Sequence, residues 1–178
     1  MARALITGIG CVTPIGQGVE EFWRNLTGGV SGVGPITLFD ASDLECRIAA
    51  EVKGWDPLSY MDAKAARRAS RFSQFAIAVA GQAIEDAGIR IDDDNRYEIA
   101  VAMSGGGGGI GDVADGERTR LEKGAARVSP YLVPWLAPNM ASCQVAMHYG
   151  IRGSVMTSVA ACAASVAAFV EAKRLIDG

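Results

Sequence analysis

Histidine is nearly absent from this chain, and its cysteines are widely spaced. The 178 residues hold one histidine, His148, and four cysteines, at positions 11, 46, 143 and 162. No two cysteines form a Cys-x-x-Cys pair. Zinc sites draw on closely spaced Cys and His ligands, so the sequence predicts no metal site.

An excess of positive charge is also lacking, and so is any long apolar run. The 17 Lys and Arg against 20 Asp and Glu give a net charge of −3, and nucleic-acid binding needs clustered positive charge. No apolar stretch reaches the roughly 20 residues that span a bilayer. The first apolar run, 4–7, is too short for a signal peptide. We therefore expect no nucleic-acid partner, no membrane association and a cytoplasmic protein whose cysteines are thiols.

Strands and helices are predicted to alternate along the chain. The apolar pattern predicts strands at 4–7, 47–52, 99–103 and 155–159. It predicts helices at 18–26, 64–87, 112–124, 139–149 and 161–176, with a loop at 129–139. This alternation is typical of an α/β fold with a mostly parallel sheet and helices on both faces. The last helix begins with apolar or small residues on every side, so it is predicted to be buried.

Cys162 is the candidate nucleophile. It lies where the strand predicted at 155–159 gives way to the last helix. The unpaired N–H groups and the positive end of the helix dipole there favour a thiolate and can stabilise an oxyanion. Its small neighbours leave room for a substrate. The alternative interpretation is a small core residue, since free cysteine is among the most buried residue types.

A run of five glycines, Gly105–Gly109, follows the strand predicted at 99–103. With Gly111 the run formally contains a Gly-x-Gly-x-x-Gly dinucleotide motif. An unbroken glycine run matches almost any glycine pattern, and no acidic residue ends a second strand about 20 residues later. We therefore expect no nicotinamide cofactor.

Five short segments carry a family resemblance. They are Thr7–Gly16, Gly34–Asp40, Ser129–Pro130, Pro138–Met140 and Val159–Ala163. With them the chain resembles, over essentially its whole length, the N-terminal half of an elongating β-ketoacyl-acyl carrier protein synthase. The resemblance implies a thiolase fold and places the family's nucleophile on Cys162. It implies that an acyl group moves from carrier protein to this cysteine, and that malonyl-carrier protein then loses CO2 and attacks the thioester.

The resemblance also implies a protein partner. Lys64, Arg67 and Arg68 match the basic patch on which family members dock acyl carrier protein, while Arg71 is not carried over. The alternative is that these four cations form a solvated helix face. No cofactor is implied, because the phosphopantetheine arm belongs to the carrier protein.

Three further residues are assigned to an acyl pocket by the resemblance. Gly107 matches a position beside the acyl chain, where a glycine leaves that end of the pocket open. Leu132 and Val133 match a segment that reaches across a homodimer and lines the partner's pocket. Packing of this apolar segment within one chain is the alternative.

The chain departs from the family pattern near the cysteine and in length. Ala160 replaces the usual Thr, and Ala164 and Ser165 replace a Ser/Thr-Gly pair, so we expect altered bonding around Cys162. By the resemblance, residues 1–178 form the N-terminal half of a thiolase-fold synthase. Family members continue with a second half that supplies two His, a Lys and an aromatic gate. His148 matches none of these and is assigned a structural or surface role.

We therefore expect the chain alone to lack part of the machinery for condensation. Two other functions stay open at this point. One is a non-catalytic subunit that pairs with a partner or binds carrier protein. The other is a thiolase-type or thioester-hydrolysing cysteine enzyme.

Overall fold

The computed structural model describes residues 3–178, which form seven α-helices and four strands. The helices are α1 (Val19–Thr27), α2 (Ala63–Arg68), α3 (Arg71–Asp86), α4 (Ile110–Lys123), α5 (Leu132–Leu136), α6 (Met140–Tyr149) and α7 (Ala164–Asp177). The strands are β1 (Val33–Pro35), β2 (Ile48–Ala50), β3 (Val101–Gly105) and β4 (Val155–Val159). Short 3₁₀ turns lie at Pro57–Ser59, Ala125–Arg127 and Ala161–Ala163. None of the described helices has the length and apolar character needed to cross a bilayer.

The parallel pair β3–β4 organises the fold. Val101 lies beside Val155, and Gly105 lies beside Val159. The connection between the two strands runs through α4, α5 and α6, as a parallel pair requires a crossover. Both α6 and α7 pack on the pair, and α3 packs on α6. The predicted α/β class is confirmed, with a parallel sheet of two described strands and a separate antiparallel hairpin, β1–β2.

The core lies between α3, α6 and the start of β3. Ile77 on α3 and Val145 on α6 are 1% and 2% exposed. The Tyr149 hydroxyl donates a 2.8 Å hydrogen bond to the Ile77 carbonyl, and burial raises the pKa of Tyr149. A Cβ at Gly81 would overlap this hydroxyl, so glycine is what lets the two helices approach.

The first predicted strand is wrong. Residues 4–7 form no strand, and the side chain of Leu5 is 74% exposed. The N–H groups that follow are bound by side chains of α3: Ile9 donates to Asp86 at 2.8 Å and Cys11 to Gln82 at 2.9 Å. The segment thus lies along a helix, where side-chain acceptors replace the neighbouring strand that its apolar pattern predicts.

The single helix predicted at 64–87 is also wrong, because Ala69 and Ser70 are extended and separate α2 from α3. Gln74 stabilises the break, since its amide donates to the carbonyls of Ala66 at 3.0 Å and Ala69 at 3.2 Å. These carbonyls would otherwise lack partners at the end of α2. Apolar spacing continues across the break and does not reveal it.

Two predictions near the candidate site need correction. The apolar segment 129–139, predicted as a loop, contains α5, with Pro134 in its first turn, where proline is tolerated. The last helix, predicted to be buried, begins at Ala164 after a 3₁₀ turn and has no buried residue. It packs on β3 and β4, and Phe169 on this helix is 64% exposed.

Glu51, directly after β2, holds the start of the segment that connects β1 to β2. Its carboxylate accepts hydrogen bonds from the Thr37 hydroxyl at 2.6 Å, the Thr37 N–H at 3.0 Å and the Leu38 N–H at 3.2 Å. These bonds, the Thr37 hydroxyl first, lower the pKa of Glu51. The carboxylate therefore stabilises the folded chain in its charged form.

We predict that Glu51→Gln lowers the thermal midpoint at neutral pH and flattens its decline in acid. A carboxylate with a lowered pKa stabilises the folded state above its unfolded pKa, roughly 4.3, and this stabilisation is lost as the pH falls through the folded pKa. Thermal unfolding from neutral to acid pH measures the effect. Glu98→Gln is the matched control, since the exposed Glu98 makes no side-chain hydrogen bond or ion pair among the described residues. If the thermal midpoints of Glu51→Gln and Glu98→Gln depended on pH in the same way, the prediction would be wrong.

Candidate active site

Cys162 lies in the 3₁₀ turn between β4 and α7, as predicted from the sequence. Its side chain is an exposed free thiol, so the alternative of a core cysteine does not describe it. The preceding residue, Ala161, has φ +44°, a positive value found at no other described residue except glycines. Such a conformation costs an alanine about 1–2 kcal/mol. The chain thus presents the thiol on a strained strand-to-helix turn.

Backbone hydrogen bonds hold this turn against the end of β3. The Ala160 N–H donates to the Gly105 carbonyl at 3.3 Å, and the Ala163 N–H donates to the Ala160 carbonyl at 2.8 Å. Within residues 3–178, the Cys162 N–H donates to no backbone carbonyl. It is therefore a free donor next to the thiol, where charge develops on an attacked carbonyl oxygen.

An apolar cavity of about 740 Å³ adjoins the turn. Cys162 itself is not part of its wall, but Ser165, three residues further along the chain, and Gly105, whose carbonyl accepts from the Ala160 N–H, both are. The rest of the wall includes Gly107 and the large apolar side chains Phe72, Phe75, Val79, Met103 and Phe169. This volume is within the range of small-molecule sites. The cavity can hold an apolar chain whose reactive end lies near the thiol.

Gly107, assigned to an acyl pocket from the sequence, lies in the cavity wall. A Cβ there would come 2.8 Å from the Cδ1 atom of Ile110. Leu132 and Val133 are not in the wall. Leu132 packs against Gly116 of α4, while Val133 is 73% exposed. The two residues assigned to a partner's pocket therefore do not line the pocket of their own chain.

The predicted basic patch, Lys64, Arg67 and Arg68, is exposed on α2. No carboxylate within the described range forms an ion pair with any of these three cations. Asp62 caps the start of α2 by accepting the N–H groups of Ala65 and Lys64, and these bonds lower its pKa. The patch is thus a charged helix end available to an anionic partner.

Arg71 differs from these three cations, which agrees with its omission from the patch. Its guanidinium donates to the Val52 carbonyl at 2.6 Å and lies 5.0 Å from the centre of the Phe75 ring. It therefore links α3 to the chain after β2. His148, assigned a structural or surface role, is exposed on α6 beside Tyr149.

Trp135 makes contacts that the sequence did not predict. Its indole N–H donates to the Arg68 carbonyl at 3.0 Å, and the Arg68 guanidinium lies 5.7 Å from the Tyr131 ring centre. The Trp135 carbonyl lies so close to Gly109 that a Cβ would overlap it. Aromatic residues between prolines were the available signal that this segment packs against other elements. Through Trp135, α5 contacts both the basic patch and Gly109, which directly follows Gly108 of the cavity wall.

Comparisons with known proteins bear on this site. The family model described as "Beta-ketoacyl synthase, N-terminal domain" matches residues 1–178. The chain is 41% identical over 175 residues to "3-oxoacyl-[acyl-carrier-protein] synthase 2" of Synechocystis sp., covering 98% of this chain and 42% of that protein. A crystal structure of a β-ketoacyl synthase from Burkholderia phymatum matches with a TM-score of 0.83 at 26% identity, covering 99% of this chain and 44% of that one. "The ishigamide ketosynthase/chain length factor" matches with a TM-score of 0.75 at 27% identity, covering 86% and 39%. The chain thus spans less than half the length of each relative.

Proposed function

The chain belongs to the β-ketoacyl synthase family, and on that premise we propose that it carries the acyl-accepting site of a condensing enzyme for fatty-acid or polyketide elongation. The observation that carries the proposal is an exposed thiol, Cys162, on a strained turn beside an apolar cavity. The thiol supplies a nucleophile and the cavity supplies room for the acyl chain. A nucleophilic cysteine divides one difficult condensation into two easier steps.

In the first step the Cys162 sulfur attacks the thioester carbonyl of an acyl group on carrier protein. A new carbon–sulfur bond forms, and the free Cys162 N–H donates to the resulting oxyanion. The bond to the carrier's phosphopantetheine sulfur then breaks, and the proton lost by Cys162 ends on that sulfur. In the second step malonyl-carrier protein loses CO2, and its carbanion attacks the acyl group and releases Cys162. No resident metal or cofactor takes part, and the reduced thiol fits a cytoplasmic location.

Carrier protein is the proposed partner, and α2 is its proposed docking site. Lys64, Arg67 and Arg68 are exposed and unpaired by carboxylates in the described structure, so an acidic protein surface would complement them. The name of the Synechocystis relative includes acyl carrier protein. A homodimer is also proposed, in which the exposed Val133 reaches the partner's pocket while the neighbouring Leu132 packs on α4 of its own chain. The ketosynthase/chain length factor structure supports pairing of chains with this fold.

We predict that Arg67→Glu raises the concentration of acyl-carrier protein needed for half-maximal acylation about tenfold and leaves the maximal rate unchanged, because charge reversal weakens the encounter and not the chemistry. Single-turnover acylation at low salt, with the carrier protein in excess, measures the effect, which should shrink at about 0.5 M salt. Arg90→Glu is the control, since it makes the same charge change at an exposed arginine outside α2. Equal effects of the two reversals would contradict a docking site on α2.

The proposed function is tested by the intact mass of the full chain after incubation with a long-chain acyl-carrier protein. We expect one acyl group per chain. We expect acylation from acyl-coenzyme A to be slower than acylation from acyl-carrier protein. Preference for acyl-coenzyme A would instead favour a thiolase-type enzyme. Carrier binding without acylation of the folded chain would favour a non-catalytic subunit.

A further inference from the structure

We propose that Ser104 is a positioning residue for Cys162. Its side-chain hydroxyl donates a 2.8 Å hydrogen bond to the backbone carbonyl of Ser158, four residues before the cysteine. This inference rests on the proposed function, because acyl transfer is the reaction that the positioned Cys162 thiol serves. The geometry itself does not depend on which reaction Cys162 performs.

The bond links the two strands at a matched position. Ser104 on β3 and Ser158 on β4 are register partners in the parallel ladder. Near the C-terminal ends of both strands, the Ser104 hydroxyl thus adds a side-chain hydrogen bond to the backbone hydrogen bonds that pair β3 with β4. The link is partly buried, where a hydrogen bond is less weakened by competition with water.

The turn that follows needs such support because Ala161 is strained. A residue with φ +44° keeps that conformation only where its surroundings over-determine it. The backbone bond that joins the turn to β3, from the Ala160 N–H to the Gly105 carbonyl, is long for an N–H donor at 3.3 Å. The Ser104 bond has the usual length for a hydroxyl donor at 2.8 Å. Ser104 therefore makes the tighter of these two links to the strand end that bears the turn.

Ser104 also belongs to the wall of the 740 Å³ cavity. Its hydroxyl is engaged by the Ser158 carbonyl, so the residue fixes the wall and the turn relative to each other. Loss of the hydroxyl would loosen the position of the thiol and of the free Cys162 N–H relative to the cavity. A small displacement of a reacting group costs one to two orders of magnitude in rate.

Three variants test the proposal. Ser104→Ala removes the hydroxyl, and Ser104→Thr keeps it. Ser158→Ala keeps the acceptor, which is a backbone carbonyl, and removes only a buried hydroxyl that has no hydrogen-bond partner. All three change one small side chain at the same pair of positions.

The first readout is iodoacetamide alkylation of Cys162 relative to the exposed Cys46 in the same folded chain. We expect Ser104→Ala to change this ratio about threefold, because the thiol is then no longer held in its fixed, exposed position on the turn. The second readout is single-turnover acyl transfer from carrier protein, where we expect the maximal rate to fall roughly tenfold while the carrier concentration needed for half-maximal transfer stays unchanged. Ser104→Thr and Ser158→Ala should behave like the wild type in both.

An unchanged alkylation ratio in Ser104→Ala would overturn the proposal. Equal impairment of Ser104→Thr, or of Ser158→Ala, would also overturn it, because the effect would then follow packing and not the hydroxyl. If the wild type accepts no acyl group, the proposed function fails. The alkylation ratio still decides the role of Ser104 in that case.

Discussion

Replacing Cys162 with alanine is expected to lower acyl transfer to the chain by roughly three orders of magnitude or more, since removal of a covalent nucleophile costs at least this much. The fold should be retained, because Cys162 is exposed and its turn is held by hydrogen bonds of Ala160 and Ala163. Single-turnover transfer from a labelled acyl-carrier protein measures the rate. Carrier binding should persist, because the basic patch lies on α2.

Cys46→Ala is the matched control for this prediction. Cys46 is also an exposed free thiol, but it lies just before β2, and neither β1 nor β2 contributes a residue to the cavity wall. We expect its removal to leave transfer unchanged. If Cys162→Ala kept the wild-type rate, or if Cys46→Ala lost it, Cys162 would not be the acyl acceptor.

Replacing Gly109 with alanine is expected to lower the free energy of unfolding by about 2–3 kcal/mol, the upper range for an overpacked site. The new Cβ would overlap the Trp135 carbonyl oxygen. This atom belongs to the backbone of α5 and cannot rotate away as a flexible side chain can. Urea unfolding measures the loss. We expect weaker acyl binding too, since displacing α5 from Gly109 distorts the glycine-rich cavity wall.

Gly106→Ala is the control for this second prediction. It lies in the same glycine run, but a Cβ there would meet no atom within 4 Å. Its free energy of unfolding should change by less than about 0.5 kcal/mol, as for a tolerated surface substitution. Similar losses of stability for both variants would mean that the backbone preferences of glycine, and not the contact with Trp135, determine which residues the glycine run tolerates.

Local signals predicted the elements around the cysteine well. The apolar run at 155–159 coincides with β4, and Gly150 ends α6 in the left-handed conformation that favours glycine. The junction that carries Cys162 follows from these local patterns. Asn139 is at the predicted start of α6, but its side chain makes no capping bond.

Features that depend on contacts distant in sequence were not predictable in the same way. The break at Ala69 is stabilised by Gln74, and Trp135 binds the Arg68 carbonyl across 67 residues. The positive φ of Ala161 has no sequence signal, because alanine seldom adopts it. The strand–helix junction and the family resemblance both predicted Cys162 as the nucleophile. The strained turn and the neighbouring cavity are seen only in the structure.

The most direct measurement is to locate the acyl group after the full chain has reacted with a labelled acyl-carrier protein. Proteolysis and mass spectrometry distinguish the peptides that carry Cys11, Cys46, Cys143 and Cys162. We expect the label on the Cys162 peptide alone, as a thioester that hydroxylamine releases. A label on another cysteine, or none on a folded chain that binds the carrier, would contradict Cys162 as the acyl-accepting nucleophile.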